Sequence, residues 1–150
     1  MYYSKLMKNI RTDNDMTQQD IADALNTKRT TYSGWENGID SIPLLKLNEF
    51  CNYFNISLDY ICGLSKTKHN GETKKEIDKV IVGTRLRKIR IANNDTQEYV
   101  AKIIGTIQTN YSKYERGETL ILTSYIIEFA KHYNVSIDWL CGKIKDSEIK

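Results

Sequence analysis

A gapless internal repeat constrains this chain more than any other feature. Thr17-Gln18 returns as Thr96-Gln97, Ala22 as Ala101, Tyr32-Ser33 as Tyr111-Ser112 and Phe50 as Phe129. Glu36 and Gly38 return as Glu115 and Gly117. Asn55-x-Ser57-x-Asp59 becomes Asn134-x-Ser136-x-Asp138, and Cys62-Gly63 becomes Cys141-Gly142. Every pair is offset by 79 residues, with conservative exchanges such as Ile21/Val100, Trp35/Tyr114, Phe54/Tyr133 and Ile61/Leu140 between them. Self-similarity at one fixed period makes each copy a structural unit. A copy of about 60 residues is near the lower size at which a domain buries its own core. The expected organisation is a first domain over 1–65, a polar linker over 66–79 and a second domain over 80–145. Val80-Ile81-Val82 reads either as an extended lead-in or as the start of a helix.

Within each copy, apolar residues recur at helical spacing and are separated by clear stop and start signals. Met7 and Ile10 form the inner face of a first helix. Thr17 is a good N-cap, and Thr17-x-x-Asp20 approximates a capping box that opens a second helix with Ile21, Ala22 and Leu25 inward. Asn26, matched by Gly105, marks a tight turn, since these residue types best tolerate the left-handed conformation. A third helix carries Tyr32 and Trp35 inward and stops at Gly38. Pro43 suits the first turn of a fourth helix, which buries Leu44, Leu47, Phe50 and Phe54 and ends at Asn55. Ser57 and Asp59 open a short fifth helix that stops at Gly63. Sustained strand-type alternation is missing from the sequence, so the expected fold is all-α, five helices per copy.

Composition narrows the function classes. The apolar runs are too short for a transmembrane helix, and Met1-Tyr2-Tyr3-Ser4-Lys5 does not read as a signal peptide. Three irregularly spaced cysteines, Cys51, Cys62 and Cys141, fit reduced thiols and a cytoplasmic protein better than a disulfide framework. The formal charge of +3 is too mild to identify a nucleic-acid binder by itself. It is distributed unevenly: residues 1–66 carry a net −1 and residues 80–150 a net +3. The second copy is therefore expected to attract phosphate more strongly.

Helix, tight turn and helix at this spacing form the helix-turn-helix signature. It is carried by Met7-x-x-Ile10-Arg11, Thr17-Gln18-Gln19-Asp20-Ile21-Ala22, Tyr32-Ser33-Gly34-Trp35-Glu36-Asn37-Gly38 and Asn55-Ile56-Ser57-Leu58-Asp59-Tyr60. In the second copy it runs through Leu86-x-x-Ile89-Arg90, Thr96-Gln97, Ala101 and Tyr111-Ser112-Lys113-Tyr114-Glu115-Arg116-Gly117. Both copies resemble the phage-repressor family of DNA-binding domains, the lambda and 434 repressor and Cro type.

The resemblance implies that the third helix of each copy is a recognition helix whose N-terminal side chains enter the major groove. In copy one these are Lys28, Arg29, Thr30 and Ser33. Arg29 is the strongest base reader among them, because its planar fork donates twice to guanine O6 and N7. In copy two they are Gln108, Thr109, Ser112 and Lys113, with Gln108 suited to adenine and Lys113 to guanine or phosphate. Gln18 and Gln97 would bond phosphate and brace the recognition helix. Asn37 and Arg116 are further phosphate candidates, which position a protein without specifying bases.

Two local departures stand out. The family's usual capping Ser or Thr before the recognition helix is replaced by Lys28 and Ile107, leaving Thr27 and Thr106, one residue earlier, as alternative caps. Gly34 stands at a position that often carries a base-contacting side chain.

Other conspicuous residues are expected to be structural. By the family resemblance, Arg11 with Glu36 and Arg90 with Glu115 tie the first helix to the end of the third. Tyr32, Trp35, Tyr111 and Tyr114 have core spacing, and Cys62 and Cys141 precede a terminal glycine. The basic run containing Arg87 and Lys88 reads as a solvated face with room for phosphate contacts. His69 falls in the linker and His132 on a helix surface. The sequence has no metal-ligand spacing, nucleotide loop or catalytic motif, so no enzyme activity, metal or cofactor is expected.

The favoured expectation is a sequence-specific regulator of double-stranded DNA, a repressor, that reads the major groove with two unlike helices. Two heads on one chain suit half-sites roughly 34 Å apart, and a homodimer would extend them into a longer palindrome. The alternative is a helix-turn-helix scaffold that binds a protein partner through one head, as in an antitoxin, anti-repressor or phage-encoded inhibitor.

Overall fold

A computed structural model describes residues 1–69 and 71–145. Among them the regular structure is entirely helical, with five helices in each of two compact units, Met1–Asn70 and Gly71–Lys150. The chain is thus all-α, two tandem five-helix domains. The first unit contains α1 (Tyr2–Asp13), α2 (Gln18–Ala24), α3 (Arg29–Glu36), α4 (Leu44–Phe54) and α5 (Leu58–Ile61). The second contains α6 (Lys79–Ala92), α7 (Gln97–Ile104), α8 (Gln108–Glu115), α9 (Thr123–Tyr133) and α10 (Ile137–Leu140).

Local chemistry sets these boundaries. Thr17 Oγ1 accepts from the Asp20 amide at 3.0 Å, and the Asp20 carboxylate accepts from the Thr17 amide at 2.8 Å. That completes the capping box and satisfies two otherwise orphaned donors. Thr96, Ser57 and Ser136 cap α7, α5 and α10 by accepting from the amide three residues on, without the reciprocal bond. Asn55 (φ 56°) and Asn134 (φ 53°) end α4 and α9 in the left-handed conformation. Asp78 caps α6 by accepting from the Val80 amide at 2.8 Å, so Val80-Ile81-Val82 lies inside a helix. Pro43 is the N-cap of α4, one residue ahead of the first turn expected for it.

The cores follow the predicted faces. Met7, Ile21, Ala22, Leu25, Tyr32, Leu44, Leu47 and Phe50 are buried in the first unit, and Ile10 and Phe54 are half-buried. Val82, Leu86, Val100, Ala101, Tyr111, Ile126 and Phe129 occupy the matching interior of the second. Trp35 and Tyr114 are also buried, as are all three cysteine thiols.

One helix contact is solved in two ways. Ser4 on α1 donates to the Trp35 carbonyl at 2.7 Å, at the end of α3. At the matching position α6 carries Gly83, where a Cβ would overlap the carbonyl oxygens of Tyr114 and Glu115. Two stretches of the polar region are bonded to their own units. The Lys68 carbonyl accepts from the Ser57 amide at 2.8 Å, and the Thr73 amide donates to the Lys143 carbonyl at 2.9 Å.

Candidate nucleic-acid interface

The α2–α3 and α7–α8 pairs build the same framework from the same local rules. After α2 the chain turns through Asn26 (φ 53°), and the Thr27 amide closes onto the Ala22 carbonyl at 2.9 Å. After α7 it turns through Gly105 (φ 98°), and Thr106 closes onto Ala101 at 2.9 Å. Lys28 and Ile107 then occupy the N-cap positions of α3 and α8 in extended conformation, without side-chain caps. Thr27 and Thr106 therefore do not cap these helices. Thr106 Oγ1 instead accepts from Asn110 Nδ2 at 3.2 Å.

A buried ion pair locks each framework. Arg11 on α1 donates to Glu36 at the end of α3 through Nε (2.8 Å) and Nη2 (2.7 Å), and through Nη1 to the Met16 carbonyl (2.8 Å). Arg90 repeats this with Glu115 at 2.6 and 2.9 Å and the Asp95 carbonyl at 3.0 Å. One guanidinium thus fixes the first helix, the entry to the second and the end of the third. Two parallel N–H···O bonds give such a pair both strength and orientation. Burial pushes the Glu36 and Glu115 carboxyls up. Interactions with the arginine, with the Tyr32 or Tyr111 hydroxyl and with Gln18 or Gln97 more than reverse this and hold both below the usual carboxylate range. The buried hydroxyls of Tyr32 and Tyr111 are pushed upward, first by burial and then by the adjacent carboxylate.

Gln18 Nε2 reaches Glu36 at 3.3 Å and Gln97 Nε2 reaches Glu115 at 3.0 Å, so each glutamine links the start of its helix to the end of the next. In the second unit Gln97 Oε1 also accepts from Gln108 Nε2 at 2.8 Å, which pre-orients Gln108. The first unit has Arg29 at the equivalent place.

The remaining candidates lie on the outer faces of α3 and α8 or just beyond them. Lys28, Arg29 and Thr30 are exposed, and Ser33 is half-buried, accepting from Asn37 Nδ2 at 3.1 Å. Thr109, Lys113 and Arg116 are exposed. Arg116 bonds to half-buried Ser112 and pairs with Glu118 just beyond the end of α8. Arg87 and Lys88 line a shallow hollow on α6 with Thr84 and Ile91, and Lys88 Nζ lies 5.8 Å from the Trp139 ring.

Sequence reasoning missed one neighbour of α3. Gly34 matches Lys113 in the repeat, yet Gly34 is buried because the Asp40 carboxylate lies over it. A glycine followed six residues later by an acid was the available signal, but only the path of the intervening loop gives it meaning.

Among the described residues, no cluster of three His, Cys, Asp or Glu side chains is placed to hold a metal ion. No described helix is long and apolar enough to cross a membrane.

The family model described as helix-turn-helix matches residues 7–61 and again residues 86–140. The cryptic phage CTXphi transcriptional repressor RstR of Vibrio cholerae serotype O1 is similar, with 42% identity over 59 residues. That match takes in 39% of this chain and 53% of the relative, so the chain spans about half the relative's length. No solved structure matches. Each matched segment contains one of the braced helix pairs, and the chain belongs to the helix-turn-helix family, twice over.

Proposed function

We propose that this chain is a double-stranded DNA-binding transcriptional regulator of the cytoplasm, a repressor, with two recognition helices of different base preference. The observation that carries this reading is the duplicated brace supporting unlike outer faces. Arg11–Glu36–Gln18 and Arg90–Glu115–Gln97 hold α3 and α8 in matching frameworks. Such rigid support is what a side chain needs to discriminate base edges.

In the first domain Arg29 reads guanine through O6 and N7, flanked by Lys28, Thr30 and Ser33. In the second, Gln108, held by Gln97, reads adenine through N6 and N7, and Lys113 adds a donor one turn further on. Asn37, Arg116 and the helix-opening glutamines Gln18 and Gln97 face the phosphates. The repressor role draws support from the similarity to RstR, a transcriptional repressor. Occupying a promoter blocks it without further chemistry, so no enzymatic step or cofactor is required.

Titration of the full chain against mixed duplexes over a salt series tests the reading. Sequence-selective binding that weakens steeply with salt is expected, because phosphate contacts release counterions. Failure to bind any duplex at low salt overturns it.

A further inference from the structure

We propose that Asp40 is a base-discriminating residue of the first domain, which uses its carboxylate to select cytosine where the second domain presents Lys113. The inference rests on the DNA-reading role assigned above to α3 and extends it to a residue outside that helix.

Position 34 lies one turn beyond Thr30, on the same helix face. Its repeat equivalent, Lys113, is exposed, so this position on the recognition helix looks outward. In the first domain the helix supplies no side chain there. The Gly34 carbonyl accepts from the amides of Ile39 at 2.9 Å and Asp40 at 3.1 Å, and the Lys113 carbonyl accepts likewise from Glu118 at 3.0 Å, so in both domains the following loop folds back against the helix. That return places the Asp40 carboxylate where a Cβ on Gly34 would stand. Asp40 remains exposed. The missing side chain of the helix is thus replaced by one from the loop, with the opposite charge to Lys113.

The chemistry of this replacement is directional. An ionised carboxylate only accepts hydrogen bonds, and in the major groove cytosine N4 is the amino donor suited to it. Guanine O6 and N7 and thymine O4 are acceptors and would be rejected. Lys113 donates and favours those same acceptors. One repeat position therefore asks for a donor base in one half-site and an acceptor base in the other.

In vitro selection from a randomised duplex library, using the full chain and its Asp40→Ala and Asp40→Asn variants, tests this. For the unmodified chain, one base pair beside the position relaxed by Arg29→Ala should show a cytosine preference. Asp40→Ala should reduce that preference by about tenfold while leaving the positions governed by Gln108 unchanged. Asp40→Asn, whose amide both donates and accepts, should move the preference towards adenine. A structural role for Asp40 alone would lower affinity for all sequences without altering this one column. A selection profile that Asp40→Ala leaves unchanged overturns the proposal alone. An unmodified chain that selects no sequence overturns the DNA-reading role beneath it as well.

Discussion

Arg90 grips the Glu115 carboxylate with two hydrogen bonds of 2.6 and 2.9 Å, and in doing so joins α6 to the end of α8. The Glu115 side chain is only 3% exposed, so its charge has little water to fall back on. Removing one partner of a buried ion pair is costly because the other charge is left uncompensated, typically by about 3–5 kcal/mol. Arg90→Ala should therefore destabilise the second unit by roughly 3 kcal/mol. Urea unfolding followed by circular dichroism should show loss of the second unit's structure at lower denaturant. Arg90→Lys should recover only part of the loss, since an ammonium lacks the planar fork. Wild-type stability for Arg90→Ala would contradict the bracing role.

Acid should weaken both units through Glu36 and Glu115. Their folded-state pKa values lie below the ordinary 4.5, despite the upward push of burial, because of the arginine, tyrosine and glutamine partners. A depressed carboxylate contributes stability that is fully present above its unfolded pKa and is lost as pH falls through its folded value. The urea midpoint should change little from pH 7 to about pH 5 through these groups and then fall steadily. Arg90→Ala should flatten the part of that fall due to the second unit. A midpoint that rises on acidification would rule out this linkage.

Base selectivity should respond differently to reading and bracing residues. Arg29→Ala should relax preference at one position of one half-site by about 1–3 kcal/mol, measured by competition binding with single-base variants. Gln108→Ala should do the same in the other half-site. Gln97→Ala removes both the proposed phosphate donor and the partner of Gln108, so it should weaken all sequences and also blunt the preference set by Gln108. If Arg29→Ala leaves every preference intact, the first domain does not read bases through α3.

Gly83 and Ser4 occupy one repeat position but should fail in different ways. Gly83→Ala forces a methyl into the carbonyls of Tyr114 and Glu115 and should cost about 1–3 kcal/mol by overpacking. Ser4→Ala removes the 2.7 Å hydrogen bond to Trp35 and should cost about 1 kcal/mol. Thermal unfolding of the two variants gives the comparison. Equal stability of Gly83→Ala and the unmodified chain would mean that α6 and α8 can separate without penalty.

The helices were legible in the sequence because their boundaries are written in short-range chemistry. Thr17 with Asp20, Asn26 and Gly105, and Asn55 and Asn134 each act within a few residues of themselves. The duplication then checked every assignment against a second copy. The Arg–Glu brace spans 25 residues but keeps the same spacing twice, so it too was readable, through the family resemblance. What escaped depends on loop path. Thr27 and Thr106 look like caps by residue type, but the turn places Lys28 and Ile107 at the N-caps instead. Neither the pairing of Arg116 with Glu118 nor the Asp40 carboxylate over Gly34 follows from helical periodicity. Both arise where the chain leaves α8 or α3, and neither has a matching partner in the other copy.

The contact between Gly34 and Asp40 also couples two separate stretches of chain in any change to the first domain's specificity. A Cβ introduced at position 34 displaces the Asp40 carboxylate, which is the exposed end of a flexible side chain and can swing outward. A new side chain on the helix therefore moves the loop carboxylate as well as adding its own chemistry. Retargeting this domain is a two-position problem, whereas Lys113 in the second domain stands exposed and can be exchanged by itself.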